Sequence, residues 1–216
     1  MRFQEFKEDL DIFMKQLLGV EPSGLSGFGL KKKEQPSTQP STQSGTKKPA
    51  DDKAPQDKDF NVKLKKVADA LGVDEAHLRK IIKFETAGTF SPSSHDPWNV
   101  SVGLIGFTER TARGLGTSKA ALAKMTAVEQ LDYVYKFYKK NGLKPGSDVG
   151  TMYMLTFMPA YAYAPDSKVL GKKGGGMLDN TGLSMHKVWE QNPGFGKSKG
   201  KTYFTVGDVK SLIRSR

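Results

Sequence analysis

Residues 83–94 read KFETAGTFSPSS and place a single carboxylate, Glu85, between an apolar run and a cluster of small and hydroxyl residues. Leu78, Ile81 and Ile82 precede it at the spacing of one helical face, and Glu85 falls on that face, seven residues after Leu78. The helix is expected to end at once, because Gly88 suits the left-handed position beyond a helix C-terminus and Pro92 blocks continuation. Glu85 then stands near the negative end of a helix dipole, beside apolar neighbours. Both circumstances disfavour the ionised form and raise a carboxyl pKa, which is what a general acid working near neutral pH requires. Taken alone, the stretch fits better a partly exposed Glu paired to Lys83 or a nearby Arg, since charged residues at helix ends are common.

Working outward, NVKLKKVADALGV reads as a helix with Leu64, Val67, Ala68 and Leu71 inward, stopped by Gly72. DEAHLRKIIKFET follows, with Asp74 as its cap and acids at its positive end. Further helices are expected over 109–115, 118–124, 127–140, 149–158 and 206–214. Alternation of period two is scarce, so the domain from 60 to 216 is expected to be mainly α, with one small hairpin between Phe90 and Ser101. The segment SSHDPWNVS in that hairpin holds His95 and Asp96. Two isolated ligands do not make a metal site, and Asp before Pro is ordinary turn chemistry. His77 and His186 have no partner at ligand spacing, so neither a metal nor a cofactor is expected.

Ahead of this domain, residues 31–59 contain no aromatic or large aliphatic side chain, and QPST occurs twice. Such a segment cannot bury enough apolar surface to offset its ordering entropy, and residues 21–59 are expected to form a flexible linker. In residues 1–20, Phe3, Phe6, Leu10, Phe13 and Leu17 step by three and four along a heptad seam with charged residues on the other faces. A seam this short is not stable alone in water, so it is expected either to dock into another protein or to fold back on the main domain. Acids and bases interrupt it throughout, unlike a secretory signal.

The chain of 216 residues has no cysteine, which removes disulfides and thiolate metal sites from consideration. No apolar run is long enough to span a membrane. A formal net charge of +11 fits an anionic partner: nucleic acid, an anionic membrane face or the acidic polymers of a bacterial wall. The segment VADALGVDEAHLRKII has the outline of a helix-turn-helix, but Asp74 and Glu75 stand at the end that would approach phosphate, so nucleic acid is not the expected partner.

Beyond Glu85 the chain continues SVGLIGFTERTARGLGTSKAALAKMTAVEQLDYV. Together with the first stretch this resembles the lysozyme-like lytic transglycosylases, a goose-type lysozyme relative in fold, and most of all the versions carried by phage tails and endolysins. In that family a helix ends in a catalytic Glu followed by a small or hydroxyl residue and glycine. A Gly-Leu-Met/Ile-Gln motif comes downstream, then Thr-Ala and a helix. Glu85, Thr86 and Gly88, with Phe90 after them, stand for the first motif. Ser101, Gly103, Leu104 and Ile105 stand for the second, and Thr111 with Ala112 for the Thr-Ala pair. The family Gln is Gly106 here. An Ala-Tyr-Asn motif often lines the family cleft, and PAYAYAPDS matches it at Tyr161 but has Ala162 in place of the Asn. Near the end, NPGFGKSKGKTYFTVGDVKSLI resembles a segment that is acidic in related phage domains. Lys and Ser fill it here, so calcium is not expected.

The resemblance implies Glu85 as the catalytic acid, with Thr86, Ser101, Gly103, Leu104, Ile105 and Tyr161 as substrate contacts. Tyr163, Trp98 and Phe107 are further candidates for stacking on sugars, and each is equally suited to a core. The implied substrate is peptidoglycan, cleaved between N-acetylmuramic acid and N-acetylglucosamine. The implied setting is a phage tail or baseplate, docked through residues 1–20 and acting in the bacterial cell wall. A two-carboxylate glycosidase needs a second acid about 5 to 9.5 Å from the first, and Asp96 is the nearby candidate. A transglycosylase needs none. Two alternatives stay open: a hydrolysing lysozyme, and a virion structural protein that keeps the fold with little activity.

Overall fold

The computed structural model describes residues 58–95 and 101–216. The docking seam of residues 1–20, almost all of the linker, and Asp96 and Trp98 lie outside the described residues. Lys58 and Asp59, placed at the end of the linker from sequence, instead open the first helix, α1 (Lys58–Leu71). Its Phe60, Leu64, Val67, Ala68 and Leu71 are buried at steps of three and four. Gly72 ends it at φ +69°, where a Cβ would lie 2.9 Å from Pro145 Cβ, so both the backbone angle and the space call for glycine.

Helix α2 (Glu75–Glu85) starts at Asp74, whose carboxylate accepts from the Ala76 N–H at 2.8 Å. Arg79 bonds Glu75 at 2.6 Å and Asn61 of α1 at 2.8 Å, tying the two helices on their outer side while Leu78, Ile81 and Ile82 are fully buried. Two short helices, α3 (Glu109–Gly114) and α4 (Lys119–Leu122), are capped by the Thr108 and Ser118 hydroxyls. Helix α5 (Ala127–Lys140) opens with a reciprocal capping box between Thr126 and Glu129 and packs on α1. Helix α6 (Val149–Phe157) is buried at all nine positions, as an apolar sequence without a polar face requires. It forms the centre of the core, with α2 on one side and α8 (Val206–Arg214) on another.

The domain is thus mainly helical, with two short antiparallel hairpins among the described residues. The first pairs β1 (Ser101–Val102) with β2 (Phe107–Thr108) and lies later than the hairpin expected between Phe90 and Ser101. The reason is local. Gly103 and Gly106 supply the positive φ values, +88° and +65°, that a tight reversal needs, while the Ser91 and Ser93 hydroxyls meet each other and the Ser91 hydroxyl accepts from Ser93 N–H. His95 reaches this hairpin through an isolated bridge to Val102. The second hairpin pairs β3 (Val169–Lys172) with β4 (Tyr203–Thr205), with a bulge between Val169 and Gly171. Helix α7 (Met185–Gln191) packs on β3 and buries Val188 and Trp189. No helix among the described residues is long and apolar enough to cross a membrane.

Candidate active site

Glu85 is the last residue of α2 and is half-buried, with its Oε1 out of contact with solvent. The turn beyond it is held in an uncommon shape. Ala87, Gly88 and Phe90 all have positive φ, at +51°, +85° and +56°, and two of the three are not glycine. Thr86 maintains this shape: it is 1% exposed, donates its hydroxyl hydrogen to Ile82 O at 2.7 Å and accepts from Phe90 N–H at 3.0 Å. Gly88 N–H returns to Lys83 O at 2.7 Å, closing the C-terminal turn as its glycine foretold. Phe90 packs edge-on against Phe60 of α1, which holds the turn against the core. Strain of this kind persists only where the surroundings over-determine it, and it collects at functional sites.

Behind Glu85 stand two tyrosines with no exposed surface, Tyr138 of α5 and Tyr153 of α6. Burial pushes both phenols well above their ordinary pKa, and the charge of Glu85 adds to the effect in each. Both therefore remain neutral. Tyr138 exchanges a hydrogen bond with Thr156 at 2.9 Å, while the Tyr153 hydroxyl has no hydrogen-bond partner among the described residues. The Phe84 ring meets Tyr153 edge-on at 5.2 Å, so the last turn of α2 is locked onto α6.

The second motif comes to the first through Gln130, a residue that the sequence did not single out. Its side chain is fully buried. It accepts from Leu104 N–H at 3.0 Å and donates to Pro92 O at 2.6 Å and Leu122 O at 2.7 Å. A Cβ on Gly103 would collide with this carboxamide. Gly103 N–H also reaches Ser94 O at 2.6 Å, so the segment after Glu85 and the β1–β2 turn are joined directly as well. The readable signal for Gln130 was its place on the apolar face of α5 with Val134, Phe137 and Tyr138.

Of the predicted substrate contacts, Ser101, Leu104 and Ile105 are buried, at 1%, 0% and 2% exposure. Gly103 offers only backbone at a tight turn. Tyr161 lies in the short 3-10 turn after α6, and its hydroxyl donates to Asp179 Oδ2 at 2.8 Å. Asp179 in turn pairs with Lys168 at 2.6 Å, and the Lys168 ammonium lies 5.6 Å from the Tyr161 ring centre. Tyr161 is thus engaged with the β3–α7 loop. Phe107 is a core ring packed edge-on against Phe137. Tyr163 is exposed, with its hydroxyl held between Lys144 N–H and Gly142 O and the Lys144 ammonium 4.4 Å from its ring centre.

The arrangement offers one carboxyl at the end of a helix, with neutral phenols behind it and a fixed, strained turn beside it. Among the described residues no three His, Asp or Glu side chains converge as metal ligands. No protein-family model, curated protein or solved structure matches the chain.

Proposed function

We propose that the domain has a lysozyme-like fold and is a peptidoglycan lytic transglycosylase, acting on the β-1,4 bond between N-acetylmuramic acid and N-acetylglucosamine. The observation that carries this reading is the setting of Glu85: half-buried at the end of α2, beside a strained turn, with Gln130 joining Pro92, just beyond that turn, to the second motif. Glu85 protonates the glycosidic oxygen as the bond to the muramoyl anomeric carbon breaks. The resulting carboxylate then takes the proton of the muramoyl 6-hydroxyl, whose oxygen closes on the anomeric carbon to give the 1,6-anhydro sugar. One acid serves both steps, so no second carboxylate is needed. The protein would work from a phage tail or baseplate, held there by residues 1–20, and would act in the bacterial cell wall.

The burial of Thr86, Ser101, Leu104 and Ile105 favours a second reading, in which the same scaffold serves as a virion structural protein with little activity. Mass analysis of soluble muropeptides released from purified sacculi tests both. Anhydro-muramoyl ends are expected. Reducing ends would replace the transglycosylase with a hydrolysing lysozyme, and absence of products would leave the structural reading.

A further inference from the structure

The C-terminal part of the sequence carries a concentration of positive charge that the cleavage reaction does not use. Residues 168–201 contain seven lysines against two carboxylates, Asp179 and Glu190. Asp179 is taken by Lys168, and Glu190 lies 3.6 Å from His186. Lys201 pairs with Asp208 at 2.6 Å. Among the described residues no carboxylate pairs with Lys172, Lys173, Lys187, Lys197 or Lys199, and all five are exposed.

The fold gathers these five around α7. Lys172 faces Tyr203 across the β3–β4 hairpin, and Lys173 N–H bonds Thr202 O at 2.7 Å. The turn after them is pinned to α7, where Gly174 N–H donates to His186 Nδ1 at 3.0 Å, next to Lys187. From the other side, Trp189 Nε1–H donates to Lys201 O at 3.2 Å, and the Lys197 ammonium lies 5.5 Å from the Trp189 ring centre. Three separate stretches of chain therefore bring lysines without carboxylate partners among the described residues to one hairpin and the helix packed on it.

We propose that this surface binds an anionic phosphodiester polymer of the bacterial wall, of the teichoic-acid class, and so holds the domain on its substrate. The choice of a wall polymer rests on the reading of the domain as a wall enzyme. Single-stranded nucleic acid, another polymer of regular phosphate charge, is held by rows of exposed aromatic rings on which bases stack. Here Trp189 is 6% exposed, with its ring beside Lys197 and stacked near His186, so Tyr203 is the exposed ring among the lysines. The region offers charge with little stacking surface, which suits a polyol phosphate without bases.

The test uses the full chain and a purified glycerol-phosphate teichoic acid, with single-stranded DNA of equal phosphate number as comparator. Binding is measured directly, so loss of cleavage would not affect the readout. The triple variant Lys172→Gln, Lys197→Gln, Lys199→Gln is expected to lose at least about tenfold in affinity for the teichoic acid at moderate salt. A charge-matched control, Lys124→Gln, Lys136→Gln, Lys139→Gln, is expected to change it less than about twofold, and Arg at the three patch positions to retain it. Equal losses in the patch and control triples would mean diffuse charge and overturn the proposal. Absence of binding would overturn it too, and tighter binding of DNA would make the surface one for nucleic acid instead.

Discussion

At the scale of single residues, the proposed chemistry concentrates on Glu85. Gln at this position keeps the volume but cannot donate a proton, so Glu85→Gln is expected to lower wall cleavage by about 10² to 10⁴ with an unchanged melting temperature. Activity within a few-fold of the parent would remove Glu85 from the mechanism. Asp96→Asn is the companion, expected to be mild, and a comparable collapse there would identify a two-carboxylate lysozyme. Gln130 is the residue on which the turn depends, since its carboxamide holds three backbone segments at once. Gln130→Leu removes the partner of Leu104 N–H and of Pro92 O, while Leu122 O keeps the Met125 N–H at 3.0 Å, and a loss of about 2 to 4 kcal/mol in chemical denaturation is expected. The places of Glu85 and Gly88 at the end of α2 could be read from sequence because each violates or completes a helical pattern. Gln130 could not be assigned a role, because its partners lie 8, 26 and 38 residues away and only the fold brings them together.

At the scale of elements, legibility follows length and capping. Helices α1, α2, α5, α6 and α8 were expected close to where they lie, because each has an apolar period or a clear cap. Helix α7 and the β3–β4 hairpin were not. Strands of three or four residues interrupted by a bulge show no alternation, and α7 buries only Val188 and Trp189. Helices α5 and α6 also bring Tyr138 and Tyr153 together behind Glu85, with a consequence for pH. Both phenols have folded pKa values raised above the ordinary 10.0, by burial first and by the Glu85 charge in addition. Their contribution is therefore complete below about pH 10 and is lost as the pH rises from there, because the unfolded chain ionises first. Thermal melting is expected to fall steeply above about pH 10, and the double variant Tyr138→Phe, Tyr153→Phe to flatten that fall. An unchanged alkaline slope would mean that neither phenol is coupled to folding. At neutral pH, Tyr153→Phe is expected to be the milder change, because it removes a hydroxyl without a hydrogen-bond partner among the described residues, whereas Tyr138→Phe breaks the bond to Thr156 at a cost of about 1 kcal/mol.

At the scale of the whole molecule, the proposed function divides the chain into an anchor, a tether and a lytic domain. The anchor is the seam of Phe3, Phe6, Leu10, Phe13 and Leu17, and the tether is the stretch before α1 that has no large apolar residue. If the seam docks into a phage tail assembly, its apolar side chains are buried in the partner, each worth about 1.5 to 3 kcal/mol when fully covered. Replacing Phe6 and Leu10 together by Asp is then expected to remove the protein from purified particles. Wall cleavage by the full chain in solution is expected to stay near the parent level, because the tether separates anchoring from catalysis. Protein content of particles and cleavage of sacculi read these two effects independently. Normal incorporation would show that the seam is not the anchor. A combined loss of incorporation, melting temperature and cleavage would place the seam on its own domain, where the same five side chains would extend the core instead of reaching a partner.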